Sequence, residues 1–165
     1  MDIKAEAADI SGAMKELLRG GQIVEIRALL VPCNDGLHRT YSGYFDNVHD
    51  LASAAEVLSN RGAKGVYFTP NPVKNSPKIA KMNDIRVATR GSLTTDDDIE
   101  EIRWLLIDVD PERPTGKSAT EEEKDEAKAV TLDIYTALKD LGWPQPFLGD
   151  SGNGFHLMYA VSGVD

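Results

Sequence analysis

The sequence predicts an α+β, two-layer fold made of two consecutive α/β units. Three observations carry that expectation. Apolar residues recur at helical spacing in three separate segments. Between them lie short runs rich in β-branched and aromatic residues, which read as strands. Glycine and proline mark most changes of period, as at Gly20-Gly21, Pro70-Asn71-Pro72 and Gly142-Trp143-Pro144. A chain of 165 residues suits one domain with its own core, or a piece of a larger one.

The elements follow in order. Ala5 to Arg19 places Ile10, Met14, Leu17 and Leu18 on one helical face, and Gly20-Gly21 stops it. Gln22 to Val31 becomes apolar and predicts a first strand. Asn34-Asp35-Gly36 is a turn, and Thr40 to Phe45 returns as its hairpin partner. Val48 to Asn60 is an amphipathic helix using Val48, Leu51, Ala55 and Leu58, followed by a third strand from Gly65 to Thr69. Pro70 and Pro72 cannot donate to a ladder, so the chain leaves the sheet there. A polar stretch runs from Lys74 to Arg90 with one helical turn near Ile79, and Asp96-Asp97-Asp98 read as the acidic cap of a short helix.

Ile102 to Asp110 is a hydrophobic run too short for a helix, stopped by Pro111, and is expected to be a buried strand. Thr120 and Glu123 have capping-box spacing and open the longest helix, to about Leu141. Its buried stripe is expected at Ala127, Val130, Ile134, Ala137, Leu138 and Leu141. Phe147 to Gly149 and Phe155 to Val161 are the last two strands. Sub-units of about 1–90 and 91–165 result, with a seam near Asn75 to Gly91 and strands that could share one sheet.

Bulk properties narrow the function classes. No apolar run reaches membrane-spanning length, and the polar amino terminus is unlike a secretory signal. The lone Cys33 excludes an internal disulfide and a cysteine-rich zinc site, and these points favour the cytoplasm with no membrane partner. A net charge of −9 argues against broad adhesion to nucleic acid. It leaves open a local basic groove, or a site whose field is reversed by bound metal.

The chemistry centres on Asp108 and Asp110. Residues two apart on a strand share a face, which sets these carboxylates roughly 6–7 Å apart at the backbone. That spacing suits shared divalent ions for phosphoryl-type chemistry. Three tempting motifs fail. Gly116-Lys117-Ser118 ends like a phosphate-binding loop, but Pro111 stands where the leading glycine belongs. Asp108, Asp110 and Glu112 begin like a calcium loop, but Arg113 occupies the glycine position. His38 and His49 lack ligand spacing. Ser151-Gly152-Asn153-Gly154-Phe155-His156 is more informative. Its glycines permit a tight turn and close backbone approach, with a serine, an amide and a histidine around it. On its own it also reads as a plain glycine hairpin.

In this order the motifs resemble the catalytic domain of the archaeo-eukaryotic primase superfamily, particularly phage- and plasmid-type primase–polymerases. Leu106-Ile107-Asp108-Val109-Asp110-Pro111 is similar to its metal-binding first motif. Ser151-Gly152-Asn153-Gly154-Phe155-His156 is similar to its second motif, whose serine and histidine contact nucleotide phosphates. Ser42-Gly43-Tyr44-Phe45, Val66 to Pro72 and Arg113-Pro114-Thr115-Gly116 resemble the phage-type branch, so the likeness runs from about Ile23 to the end. The resemblance implies a partial RRM-like (ferredoxin-like) β-α-β-β unit packed with the amino-terminal α/β unit. It also implies Mg2+ or Mn2+ at Asp108 and Asp110, with His156 as the third catalytic group. Ser151, Gly152, Asn153, Gly154, His156, Arg113 and Lys117 would bind nucleotide. Arg103 also lies near the acids in sequence but alternates with them. Arg27, Tyr44, Tyr67 or Asn71 would contact a template.

The implied activity is phosphodiester formation from nucleoside triphosphates on single-stranded DNA, with a helicase domain or protein as a further partner. One departure stands out. The superfamily's third motif, a hydrophobic residue and an acid, is met only by Val164-Asp165, too soon after the second. The chain therefore resembles the amino-terminal part of such a domain, ending before that motif, or a natural short paralogue. The alternatives are a non-catalytic nucleotide- or nucleic-acid-binding module on the same fold, and a metal-dependent phosphohydrolase.

Overall fold

The computed structural model describes residues 6–114 and 117–164, with side chains as far as residue 161. Helices and antiparallel sheets are both present, as an α+β fold requires. Two compact units form, Met1–Glu101 and Ile102–Asp165. Each has its own sheet, so among the described residues the two units share none, and the division lies beyond the expected seam. Pro70, Pro72 and Pro77 lack amide donors, and only one two-residue strand forms between them and Ile102.

Unit 1 contains α1 (Ala7–Leu17), β1 (Val24–Pro32), β2 (His38–Phe45), α2 (Val48–Asn60), β3 (Gly65–Phe68) and β4 (Arg86–Val87). Ala5, included in the expected first helix, lies outside the described residues. The strand order is β3-β1-β2-β4, antiparallel throughout. α2 begins where Asn47 Oδ1 accepts the amides of His49 and Asp50, at 2.8 and 3.2 Å. It lies on the sheet, and α1 packs on α2. Alternate residues Val24, Ile26 and Ala28 are buried, with Phe45, Met14, Leu17, Leu51, Ala52 and Leu58 completing the core.

The other face of this sheet is polar. Glu25 is only 1% exposed. Its carboxylate accepts from Arg27 Nη2 at 2.7 Å, Ser42 Oγ at 2.5 Å and the Thr94 amide at 3.1 Å. A charge buried so fully persists because donors saturate it. Arg27 Nη2 also donates to Thr94 O at 3.0 Å, and the Tyr44 hydroxyl to Ser92 O at 2.7 Å. Residues 92–95 are thereby strapped to this face. The acids at 96–98 form a 3₁₀ turn, with the Thr95 amide and hydroxyl each 2.8 Å from Asp98 Oδ2, as the capping expectation requires.

Unit 2 contains β5 (Ile102–Val109), α3 (Glu121–Asp140), β6 (Phe147–Asp150) and β7 (Phe155–Val164). β7 inserts between the other two, giving the order β5-β7-β6. This is a split β-α-β with a hairpin, part of the ferredoxin-like pattern. The capping box forms. Thr120 Oγ1 accepts from Glu123 N at 3.2 Å, and Glu123 Oε2 accepts from Thr120 N at 2.8 Å.

Two expectations are corrected here. β5 is an edge strand and none of its residues is fully buried, with Leu105 and Leu106 39% and 44% exposed. A continuous apolar run usually means cover on both faces, but within this unit one helix serves three strands. The buried line of α3 is also rotated from the expected stripe. Ala127 and Thr131 are buried, whereas Val130 and Leu141 are exposed, as is Ala137. Thr131 enters the interior because its hydroxyl donates to Ala127 O at 2.7 Å.

Candidate active site

Within unit 2 the end of β5 meets the β6–β7 turn. β5 stops at Val109 because Pro111 cannot extend the ladder. Asp108 pairs directly with His156 on β7, so both side chains rise from one face. His156 Nε2 lies 3.3 Å from Asp108 Oδ1, with the two side chains 36% and 55% exposed. Asp110, just past the strand, accepts from Arg113 Nη2 at 3.3 Å. Arg113 Nη1 donates to Lys117 O at 2.8 Å, closing the loop after the strand. Arg113 Nε is buried with no acceptor among the described residues.

The turn explains its glycines. A Cβ on Gly154 would lie 2.2 Å from Val109 O and 2.7 Å from Asp110 Oδ1. The close backbone approach inferred from the sequence is therefore to the acid strand itself. Gly152 adopts φ +89°, which a side chain would strain. Its amide donates to Asp150 Oδ1 at 2.7 Å, and the Gly154 amide donates to Ser151 Oγ at 2.9 Å. The amides of Gly152 and Gly154, two of the residues expected to bind nucleotide, are thus engaged inside the turn. Ser151 keeps its hydroxyl proton for another acceptor.

Asn153 is directed elsewhere: its Oδ1 accepts from Ala119 N at 3.0 Å, fixing the approach to α3. Lys117 contributes its carbonyl, and its side chain is exposed. Thr115 and Gly116, quoted for the phage-type resemblance, lie outside the described residues. Of Val164-Asp165, Val164 is the last residue of β7, opposite Ile102, and Asp165 lies outside the described residues.

The structure adds Asp150 and Lys124. Lys124 Nζ, from the first turns of α3, lies 2.9 Å from Asp150 Oδ2 and 5.8 Å from the Phe155 ring centroid. The ammonium, helped by the Gly152 amide, holds the Asp150 carboxyl below its ordinary range. The only local signal was an acid two residues before a glycine, the spacing of an Asx turn.

As a cation site, the donors are two partly exposed carboxylates at a strand end. Among the described residues no group of three or more His, Cys, Asp or Glu converges. Two hard oxygen donors fit the magnesium mode in which one or two carboxylates act with substrate phosphates and water. They do not fit an all-protein cage.

Comparison with protein-family models, with curated proteins and with solved structures finds no match. Among the described residues no helix is long and apolar enough to cross a membrane.

Proposed function

We propose that unit 2 carries a nucleotidyltransferase site of the primase–polymerase type, joining nucleoside triphosphates on a single-stranded DNA template. The supporting observation is the direct pairing of Asp108 with His156, beside Asp110 and a glycine turn that abuts it. An acid for a divalent cation and a donor for phosphate thus share one sheet face, with the second acid just past the strand end. Asp108 and Asp110 would hold Mg2+ or Mn2+, which when bound lowers the pKa of a 3′-hydroxyl and neutralises the triphosphate. His156 offers a proton at Nε2 to a phosphate oxygen, and Ser151 Oγ–H a second. Arg113 already balances Asp110, and its planar guanidinium can pass to phosphate when a cation takes the carboxylate. Asn153 and Gly154 position the turn and touch no substrate in this scheme.

Calorimetric titration with Mn2+ and a nucleoside triphosphate tests the reading. Asp108→Asn and Asp110→Asn should each abolish metal-dependent nucleotide binding while circular dichroism stays unchanged. Wild-type affinities in both variants would sink it.

A second reading is a non-catalytic nucleotide-binding module. It is favoured by the two-carboxylate donor set and by the nitrogen-bearing side chain already beside each acid, Arg113 at Asp110 and His156 at Asp108. It requires nucleotide binding that persists in EDTA, with no primer extension.

A further inference from the structure

Unit 1 holds an apolar cleft that its own core does not fill. β3 pairs with β1 so that Val66 lies opposite Ala28 and Phe68 opposite Ile26. Directly opposed residues share a face, and Ala28 and Ile26 belong to the buried core beneath the helices. Tyr67, between them in sequence, alternates to the polar face with Arg27. α2 packs on β1, β2 and β3, and α1 packs on α2. Val66 and Phe68 nevertheless stay half-buried, as does Ile10 of α1. Between these elements opens a cleft of about 440 Å3, floored by Ile26, Val66 and Phe68 and walled by Ile10, Met14 and Leu51. Ala55 and Ala63 also line it, and their short side chains leave the space open.

The mouth is polar. Ser59, near the end of α2, and Lys64, just before β3, both line the cleft and both are exposed. Lys64 is the single charged residue of the lining, because Asp9, Lys15 and Glu16 of α1 and Asp50 and Glu56 of α2 lie outside it. Arg61 lies over the Tyr41 ring instead. The Lys64 amide donates to Leu29 O at 2.9 Å, which fixes the backbone beneath the side chain. Among the described residues no carboxylate pairs with its ammonium. In a chain of net charge −9, the cleft thus joins an apolar interior to a positive rim.

We propose that this cleft binds an aliphatic carboxylate, with the acyl chain against Ile10, Met14 and Phe68 and the headgroup on Lys64 and Ser59. The volume falls within the roughly 300–1,000 Å3 of small-molecule sites. Burying the half-exposed apolar side chains against an acyl chain returns their transfer free energy. The lining is mainly aliphatic, and a flexible chain follows such irregular walls more closely than a flat ring does. A neutral ligand would leave Lys64 unused, and a cation would be repelled by it. The cleft belongs to unit 1 and does not depend on the chemistry proposed at Asp108, so either can fail alone.

The test is titration of the full chain with octanoate, octanol and acetate at neutral pH, followed by methyl NMR. Octanoate should shift the Ile10, Ile26 and Val66 methyl signals along one saturating isotherm. Octanol should bind more weakly, and acetate, which lacks the chain, should leave these signals in place. Lys64→Gln should weaken octanoate about fivefold and leave octanol unchanged, and Lys64→Arg should restore octanoate. Ala55→Leu fills the cleft and should abolish binding while circular dichroism stays unchanged. Should Ala55→Leu fail to fold, Lys64→Gln, a surface change, decides alone. The proposal is overturned by absent octanoate saturation at these methyls or by octanol binding as tightly as octanoate. Wild-type octanoate affinity in Lys64→Gln, or in a folded Ala55→Leu, overturns it equally.

Discussion

His156 faces Asp108 across the β5–β7 ladder, its Nε2 3.3 Å from Oδ1, so the proposed phosphate donor and the proposed cation ligand occupy one ladder position. The two roles are separable. His156→Gln removes a charge-assisted contact to phosphate and leaves both carboxylates in place. Nucleotide affinity should fall on the order of tenfold, with Mn2+ affinity in the absence of nucleotide unchanged. Calorimetry of each binding step checks this, and equal losses in both would tie His156 to the cation instead.

Gly154 sits where a side chain would strike backbone. Gly154→Ala should destabilise the protein by about 1–3 kcal/mol, because Val109 O cannot yield without moving Asp110. Urea unfolding measures the loss. Gly149→Ala is the control, since its Cβ would meet His156 Cβ at an ordinary 3.5 Å.

Glu25 and Arg27 form a pair of unequal burial, with side chains 1% and 33% exposed. Arg27→Met strands a buried carboxylate and should cost about 3 kcal/mol. Glu25→Gln keeps a carbonyl acceptor for the Thr94 amide, sets its NH2 against a Ser42 hydroxyl that can rotate to accept, and leaves an arginine that water can reach, so it should cost less. The order of their urea midpoints decides the matter, and the reverse order would show that Arg27 carries the stability by packing.

Acid should weaken unit 1 through Asp98. Lys78, with the amide and hydroxyl of Thr95, holds its carboxyl at about 2, against an ordinary 3.8. A depressed folded pKa stabilises fully above the unfolded value and is lost as pH falls through the folded one. Asp98 therefore withdraws support between about pH 4 and pH 2. Asp35, held at about 2 by Arg39 and the Leu37 amide, withdraws its own over the same window. Urea midpoints over this range should fall less steeply in Asp98→Asn than in wild type, and parallel slopes would refute the assignment.

The sequence by itself determined what short-range chemistry determines. Asn47 and the Thr120–Glu123 box start their helices where expected, and Pro111 ends β5 with Asp108 near its end and Asp110 just past it. Each depends on residues within a few positions of one another. Tertiary structure decided the rest. β5 became an edge strand because β7 took its single neighbouring place, and α3 turned Thr131 rather than Val130 inward. Asp150 bound Lys124, and Glu25, invisible to any periodicity, was buried beneath Thr94. The turn amides of Gly152 and Gly154 were consumed by Asp150 and Ser151. These outcomes depend on which distant segments meet, and a local pattern of apolar and polar residues is compatible with several such meetings.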